Sequence, residues 1–173
     1  RFGIPVDAIR NSGFKIKPYR MADGRDVYTL ATWNGSSFES LGLSLFMQEL
    51  DTPGWRENLE NSVDIELDYS TRHSLPGFLS EAYSGDGLEY TGNIGIPDVA
   101  VIDQPRITDA PSLYTLGAAA SIAPDKIEKF LGENRKKIEQ LYTDHGPWEG
   151  YNTTQGRAIE FQTTAHTLAL ILG

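Results

Sequence analysis

Ser112-Leu113-Tyr114-Thr115-Leu116-Gly117-Ala118-Ala119-Ala120-Ser121-Ile122-Ala123 runs straight into Pro124-Asp125-Lys126-Ile127-Glu128-Lys129-Phe130-Leu131. The first stretch is apolar on nearly all sides of a helix, so it has to be covered all round. The second opens on proline, which suits the first turn of a helix. Its stripe of Ile127, Phe130, Leu131, Ile138 and Leu141 lies opposite charged residues, so one face is wet. A covered helix therefore leads directly into a half-wet one, which ends by Gly146-Pro147.

The same order appears on either side. Residues 38–50 carry Leu41, Leu43, Leu45, Phe46 and Met47 with little polar face, and predict a buried helix after an N-cap at Ser36 or Ser37. Residues 53–71 set Trp55, Leu59, Val63 and Leu67 against Glu57, Glu60, Asp64, Glu66 and Asp68, an amphipathic outer helix. A last helix over residues 158–172 is again mostly apolar. Buried and amphipathic helices alternate along the chain. Concentric helical toroids have this pattern, whereas a plain bundle predicts amphipathic helices throughout.

The fold class expected is mainly α: a partial (α/α)6 toroid of alternating inner and outer helices. Five helices are too few to close six hairpins, and Arg1-Phe2-Gly3-Ile4-Pro5 reads as the middle of something. Residues 1–173 are therefore expected to form one segment, the C-terminal part of a toroid module, with the N-terminal portion of the same toroid as its partner. Before the helices, Phe14, Ile16 and Pro18, then Val27, Tyr28 and Leu30 across Asp23-Gly24, predict a β-hairpin of 14–20 with 26–31. Residues 75–109 are rich in Gly and Pro, with extended pieces near 77–82 and 98–102. A connection that long inside a compact domain is usually functional.

Composition narrows the function. With 39% hydrophobic and 23% charged residues the chain is globular. The net charge of −9 argues against nucleic acid, whose phosphates need basic patches. The one dense basic cluster, Arg135-Lys136-Lys137, alternates with Glu133 and Glu139 as a solvated helix face does. There is no cysteine, hence no disulfide or thiolate metal site. His73 and His145 have no metal-ligand spacing, so no metal or other cofactor is expected. The longest apolar run near the end, Leu168 to Leu172, is too short to span a bilayer. An acidic chain bearing three Trp and eight Tyr suits a neutral ligand such as a glycan.

Four segments hold residues that could do chemistry. In Trp33-Asn34-Gly35-Ser36-Ser37-Phe38-Glu39 an aromatic plate precedes a helix start, and Glu39 either complements the helix dipole or serves a site. In Leu75-Pro76-Gly77-Phe78-Leu79-Ser80-Glu81-Ala82-Tyr83, Glu81 lies in a mostly apolar stretch, the setting a general acid needs, or else is an exposed strand-end residue. In His145-Gly146-Pro147-Trp148-Glu149-Gly150-Tyr151-Asn152, aromatics offer a stacking face while Glu149 and Asn152 offer hydrogen bonds; the alternative is a packed helix cap. Gln162-Thr163-Thr164-Ala165-His166-Thr167 puts polar groups on an apolar helix, where His166 reads as a satisfied histidine and not a catalyst. Glycosidic cleavage needs two carboxyls across the scissile bond. The inner-helix ends of a toroid face one cavity mouth, so Glu39, Glu81 and Glu149 can converge there.

Trp33-Asn34-Gly35-Ser36-Ser37-Phe38-Glu39 followed by Leu41 resembles the tryptophan–glycine–phenylalanine–glutamate motif of bacterial glycoamylase-like domains. These include endo-β-1,2-glucanases and a domain of cyclic β-1,2-glucan synthases. Ser80-Glu81 matches their later serine–glutamate pair, and residues 112–122, 124–142 and 146–151 match an inner helix, an outer helix and a glycine–aromatic turn. Glu149-Gly150-Tyr151 through Thr163-Thr164-Ala165-His166 also resembles the close of a bacterial domain with a threonine-rich last helix. The features keep their order over residues 32–173. Ser37 and Ser40 stand where those families often have bulkier residues.

The resemblance implies a glycoside hydrolase or transglycosylase on a bacterial β-glucan or exopolysaccharide, periplasmic or secreted. Glu81 would be the acid, and Glu39 or Glu149 the base or positioning carboxylate. Trp33, Trp148 and Tyr151 would be sugar platforms, with Asn152 and Tyr83 beside them. Two other readings are a non-catalytic glycan-binding or scaffold protein of a polysaccharide apparatus, and a lyase with a Tyr or His base beside the glutamates.

Overall fold

The computed structural model describes residue 7 and residues 13–83, 89–103 and 110–159. The hairpin forms as its turn residues dictate. Strands β1 (Ile16–Arg20) and β2 (Asp26–Leu30) are antiparallel, with Ile16 opposite Leu30 and Arg20 opposite Asp26. Gly24, at φ +86°, takes the left-handed turn position that glycine tolerates. Tyr19 turns inward and is buried, while Phe14, Ile16 and Tyr28 stay exposed. Asn58 holds the hairpin down, its Oδ1 accepting the Leu30 N–H at 2.8 Å.

Helix α1 (Ser37–Leu41) is shorter than the apolar pattern predicts. Gly42 packs beneath the Phe38 ring, where a Cβ would sit 2.7 Å from a ring carbon. There the chain tightens into a 3₁₀ turn, Gly42–Leu45. Leu43, Leu45, Phe46 and Met47 are exposed, so the expected buried helix over residues 38–50 reduces to one covered turn and a half. Hydrophobicity alone predicts burial, but the early break points these side chains outward among the described residues.

Helix α2 (Pro53–Arg72) forms as expected, with Pro in its first turn. It bridges two cores. Leu59 and Val63 join Leu41, Phe78, Leu113, Leu116, Ile127 and Phe130, while Ile65 and Tyr69 join Tyr19, Leu75, Leu79, Ile94 and Ile96. Helix placement at i, i+4 and i+6 lets one helix serve both. Its charged residues do not all lie outside, because Glu66 is buried at 3% exposure.

The Gly- and Pro-rich connection is ordered by backbone pairing more than by strands. Strands β3 (Ala82–Tyr83) and β4 (Tyr90–Thr91) pair briefly. Phe78 and Ser112 exchange backbone hydrogen bonds at 3.1 and 3.0 Å, and Thr32 bridges Ala100. Extended backbone near residue 78 is as predicted; residues 97–99 make a 3₁₀ turn instead of a strand.

Helices α3 (Tyr114–Ile122) and α4 (Pro124–Ile138) follow and pack on each other, the first covered and the second half-wet. Tyr114, Thr115, Leu116, Ala118 and Ala119 are buried on α3, and Ile127, Phe130 and Ile138 on α4. The chain closes with two short hairpins, β5 (Tyr142–Thr143) with β6 (Gly146–Pro147) and β7 (Tyr151–Asn152) with β8 (Arg157–Ala158). Gly146, at φ +114°, makes the first of these turns. The expected last helix, with Gln162 to Thr167 and His166, lies outside the described residues apart from its first positions. Among the described residues no helix is long and apolar enough to cross a membrane.

Candidate active site

Four backbone segments meet at one place. Gly35 lies so close to Ile96 that a Cβ would be 2.1 Å from the Ile96 carbonyl oxygen, and its φ is +76°. Glycine is required there on both counts. The Ile96 N–H donates to the Gly35 carbonyl at 2.8 Å, and the Val101 N–H to the Thr32 carbonyl at 2.7 Å. The Ser37 N–H donates to the Leu79 carbonyl at 2.9 Å, docking the start of α1 on the segment that carries Glu81. The Tyr151 N–H donates to Pro111 at 2.9 Å, which brings residues 148–152 to the entry of α3.

Glu81 is at the centre. Its Oε2 lies 2.8 Å from the Ser36 hydroxyl, 2.8 Å from the Ser80 hydroxyl and 3.3 Å from the Tyr114 hydroxyl. The Ser36 and Ser80 hydroxyls are 3.1 Å apart, and Ser80 also bonds Tyr114. Tyr114 donates to the Glu81 backbone carbonyl at 3.0 Å. Among the described residues Oε1 of Glu81 makes no hydrogen bond. One carboxyl oxygen is thus fixed by hydroxyls, and the other has no hydrogen bond among the described residues. The apolar setting expected for Glu81 is corrected: Ser36, Ser80 and Tyr114 surround it with polar groups, because α1 and α3 converge on it.

Burial first, and then the nearby carboxylates of Glu81 and Glu149, hold the Tyr90 hydroxyl above its ordinary range. Tyr114 is pushed up in the same way, chiefly by burial. Both phenols stay protonated donors at neutral pH. Tyr90 also meets Tyr83 edge-on, with centroids 5.6 Å apart.

No protein-family model matches the sequence, and no curated protein does. Two solved structures of endo-β-1,2-glucanase from Talaromyces funiculosus are similar. A mutant with β-1,2-glucan superposes at a TM-score of 0.74 with 18% identity, over 95% of this chain and 34% of that one. The enzyme with sophorose gives 0.77 and 18%, over 99% and 37%. The chain has the fold of part of an endo-β-1,2-glucanase. It spans about a third of the length of either structure.

Within this glucanase fold the other predicted site residues are placed unevenly. Glu39 is half-buried, and its Oε2 accepts the Asn34 N–H at 2.8 Å. That bond folds the Trp33–Ser37 loop back onto the first turn of α1. Trp33 is 62% exposed, free to present its ring. Trp148 is half-buried against the first core. Tyr151, on the short β7–β8 hairpin, is buried in that core. Asn152 is buried too, its Oδ1 accepting the Gln155 N–H at 2.9 Å to stabilise the turn. Glu149 is fully buried. Tyr83 is half-buried beside Tyr90.

Ser36, Tyr90 and Tyr114 belong to the cluster although their sequence context marks them as an N-cap, a loop tyrosine and a core aromatic. A hydroxyl in an otherwise apolar helix, as at Tyr114, was the available signal, since buried phenols need a partner.

Proposed function

We propose that the chain is part of a glycoside hydrolase or transglycosylase acting on a β-glucan, with Glu81 as the general acid. The observation that carries this reading is the one-sided bonding of the Glu81 carboxyl. Ser36 and Ser80 donate their hydroxyls to Oε2, which places a carboxyl proton on Oε1, the oxygen without a protein partner among the described residues. From Oε1 the proton passes to the glycosidic oxygen as its bond to the anomeric carbon breaks. Water, or a sugar hydroxyl in transglycosylation, then adds at that carbon and gives its proton to a second carboxylate.

Glu39 is the half-buried carboxylate of this wall suited to positioning that water or hydroxyl. Glu149 is fully buried and acts on the site through its charge, which reaches Tyr90 and Tyr114. Exposed Trp33 supplies a sugar platform, and Tyr83 and Trp148 add further aromatic surface. The fold shared with endo-β-1,2-glucanases supports a β-glucan as substrate, and the partial span supports a site completed by a further portion of the toroid. The setting proposed is the periplasm or the cell exterior.

A lyase is disfavoured, because Tyr114, the tyrosine beside Glu81, is held protonated by burial. A non-catalytic glycan-binding role has one observation in its favour. Glu149 is fully buried, and Glu39 has one oxygen committed to the Asn34 N–H. Product analysis after incubation with a panel of β-glucans separates the two. Oligosaccharide release lost in Glu81→Gln supports the enzyme; glycan affinity without turnover supports the binder.

A further inference from the structure

Ser36 also lines a cavity with about 10 Å³ open to a water-sized sphere. That is roughly the room one water needs. Six of its ten lining residues carry polar side chains: Thr29, Thr32, Ser36, Ser40, Ser62 and Glu66. Ser40 donates its hydroxyl to the Ser37 carbonyl at 3.1 Å, and Ser62 donates to the Asn58 carbonyl at 2.9 Å. Ser36 directs its hydroxyl at Glu81. These hydroxyls are committed as donors, and each keeps lone pairs for accepting.

Glu66 is the exceptional wall. It is 3% exposed, and its Oε2 makes no hydrogen bond to a protein group. The Leu79 N–H donates to the same carboxyl, two residues before Glu81. Burial raises its pKa well above the ordinary carboxylate range, consistent with a neutral acid that has a proton to donate. A buried polar atom without a partner costs about 1–3 kcal/mol, so one on a residue that lines a space of this size calls for an occupant.

We propose that the cavity is a single-water site through which Glu66 positions the Ser36–Glu81 pair. The hydrogen bonds run one way. Glu66 donates its O–H to the water, the water donates to a lone pair on Ser36 Oγ, and Ser36 donates to Glu81 Oε2. The other Glu66 oxygen accepts the Leu79 N–H. Glu66 thereby grips both segments that meet at the acid: the start of α1 through the water, and the Leu79–Glu81 segment directly. It touches no substrate and acts only as a positioning residue. The inference rests on the reading of Glu81 as the reacting carboxyl, while the water site stands apart from that reading.

Two measurements test it. A high-resolution crystal structure of the protein should show an ordered water within hydrogen-bond distance of both Glu66 and Ser36; a dry cavity, or a water bonded to neither, overturns the proposal whether or not the protein cleaves a glucan. Kinetics on a cleaved β-glucan provide the second. Glu66→Gln keeps a carbonyl for Leu79 and N–H donors for the water, and should retain kcat within about twofold. Glu66→Leu keeps the bulk and loses both, and should lower kcat about tenfold with KM little changed. In a Ser36→Ala background, Glu66→Leu should cost much less, because its route to Glu81 is gone. Equal losses in Gln and Leu variants, or an undiminished cost without Ser36, overturn the positioning role. If Glu66→Leu does not fold, the Gln variant and the crystal structure still decide. If wild type cleaves no glucan, the function reading fails and the water site is judged by the crystal structure alone.

Discussion

The Ser36 hydroxyl lies 2.8 Å from Glu81 Oε2, joining two residues 45 positions apart in the chain. This contact pins the orientation of the carboxyl, since Ser36 caps α1 and α1 is itself docked on the Leu79 carbonyl. Ser36→Ala removes a hydrogen bond to the acid without leaving a donor stranded. The substitution should lower kcat about tenfold and leave KM within about twofold, the pattern of a lost transition-state interaction. Steady-state kinetics on β-1,2-glucan with matched thermal melts would show whether the loss is catalytic or structural.

Gly35→Ala should be among the most damaging single-methyl additions in the chain. Its φ is +76°, and the new Cβ would lie 2.1 Å from the Ile96 oxygen, a backbone atom that has no rotamer to escape into. Strain and clash together predict a loss of at least about 2 kcal/mol. Urea unfolding should show the midpoint falling sharply, whereas Gly54→Ala, with open space around its Cβ position, should change it little.

Glu66 gives the fold a pH signature. Burial lifts its folded pKa above the unfolded value, so in the intervening window the folded state holds a proton that the unfolded state releases. Stability from this group is therefore complete below the unfolded pKa and lost as pH rises through the folded one. Thermal melts at rising pH above the ordinary carboxylate range should show wild type losing stability faster than Glu66→Gln, which has no proton to release. Parallel curves for the two proteins would contradict this assignment.

Trp33 and Trp148 should separate binding from packing. Trp33 is 62% exposed and Trp148 rests against the first core. Trp33→Ala should raise KM several-fold with an unchanged melting temperature, as expected when uniform substrate binding is removed. Trp148→Ala should lower the melting temperature first, since it strips apolar cover from the core. Calorimetric titration with β-1,2-gluco-oligosaccharides and thermal melts would distinguish them.

Much of the fold could be read from residues whose local physics is decisive. Asp23-Gly24 fixed the hairpin because the turn needs a left-handed residue, and Pro53 and Pro124 marked two helix starts because proline costs nothing in a first turn. Leu43, Phe46 and Met47 misled because hydrophobicity says that a side chain prefers cover, not whether the backbone turns it inward. At the site, Glu81 was legible as a glutamate near serine and apolar residues. Its partners were not, because Ser36 and Tyr114 reach it only through tertiary contacts. The burial of Tyr151 was not legible either: Gly150 and Gly156 flag a turn, but the sequence does not say on which side of that turn the ring lies.

The central claim is that Glu81 donates the proton that breaks a β-glucan bond. The direct measurement is product formation from β-1,2-glucan by wild-type protein and by Glu81→Gln, with circular dichroism confirming equal folding. A general acid contributes about 10²–10⁴-fold, so wild type should release oligosaccharides and the variant should fall by at least a hundredfold. Equal release by both folded proteins would contradict the account.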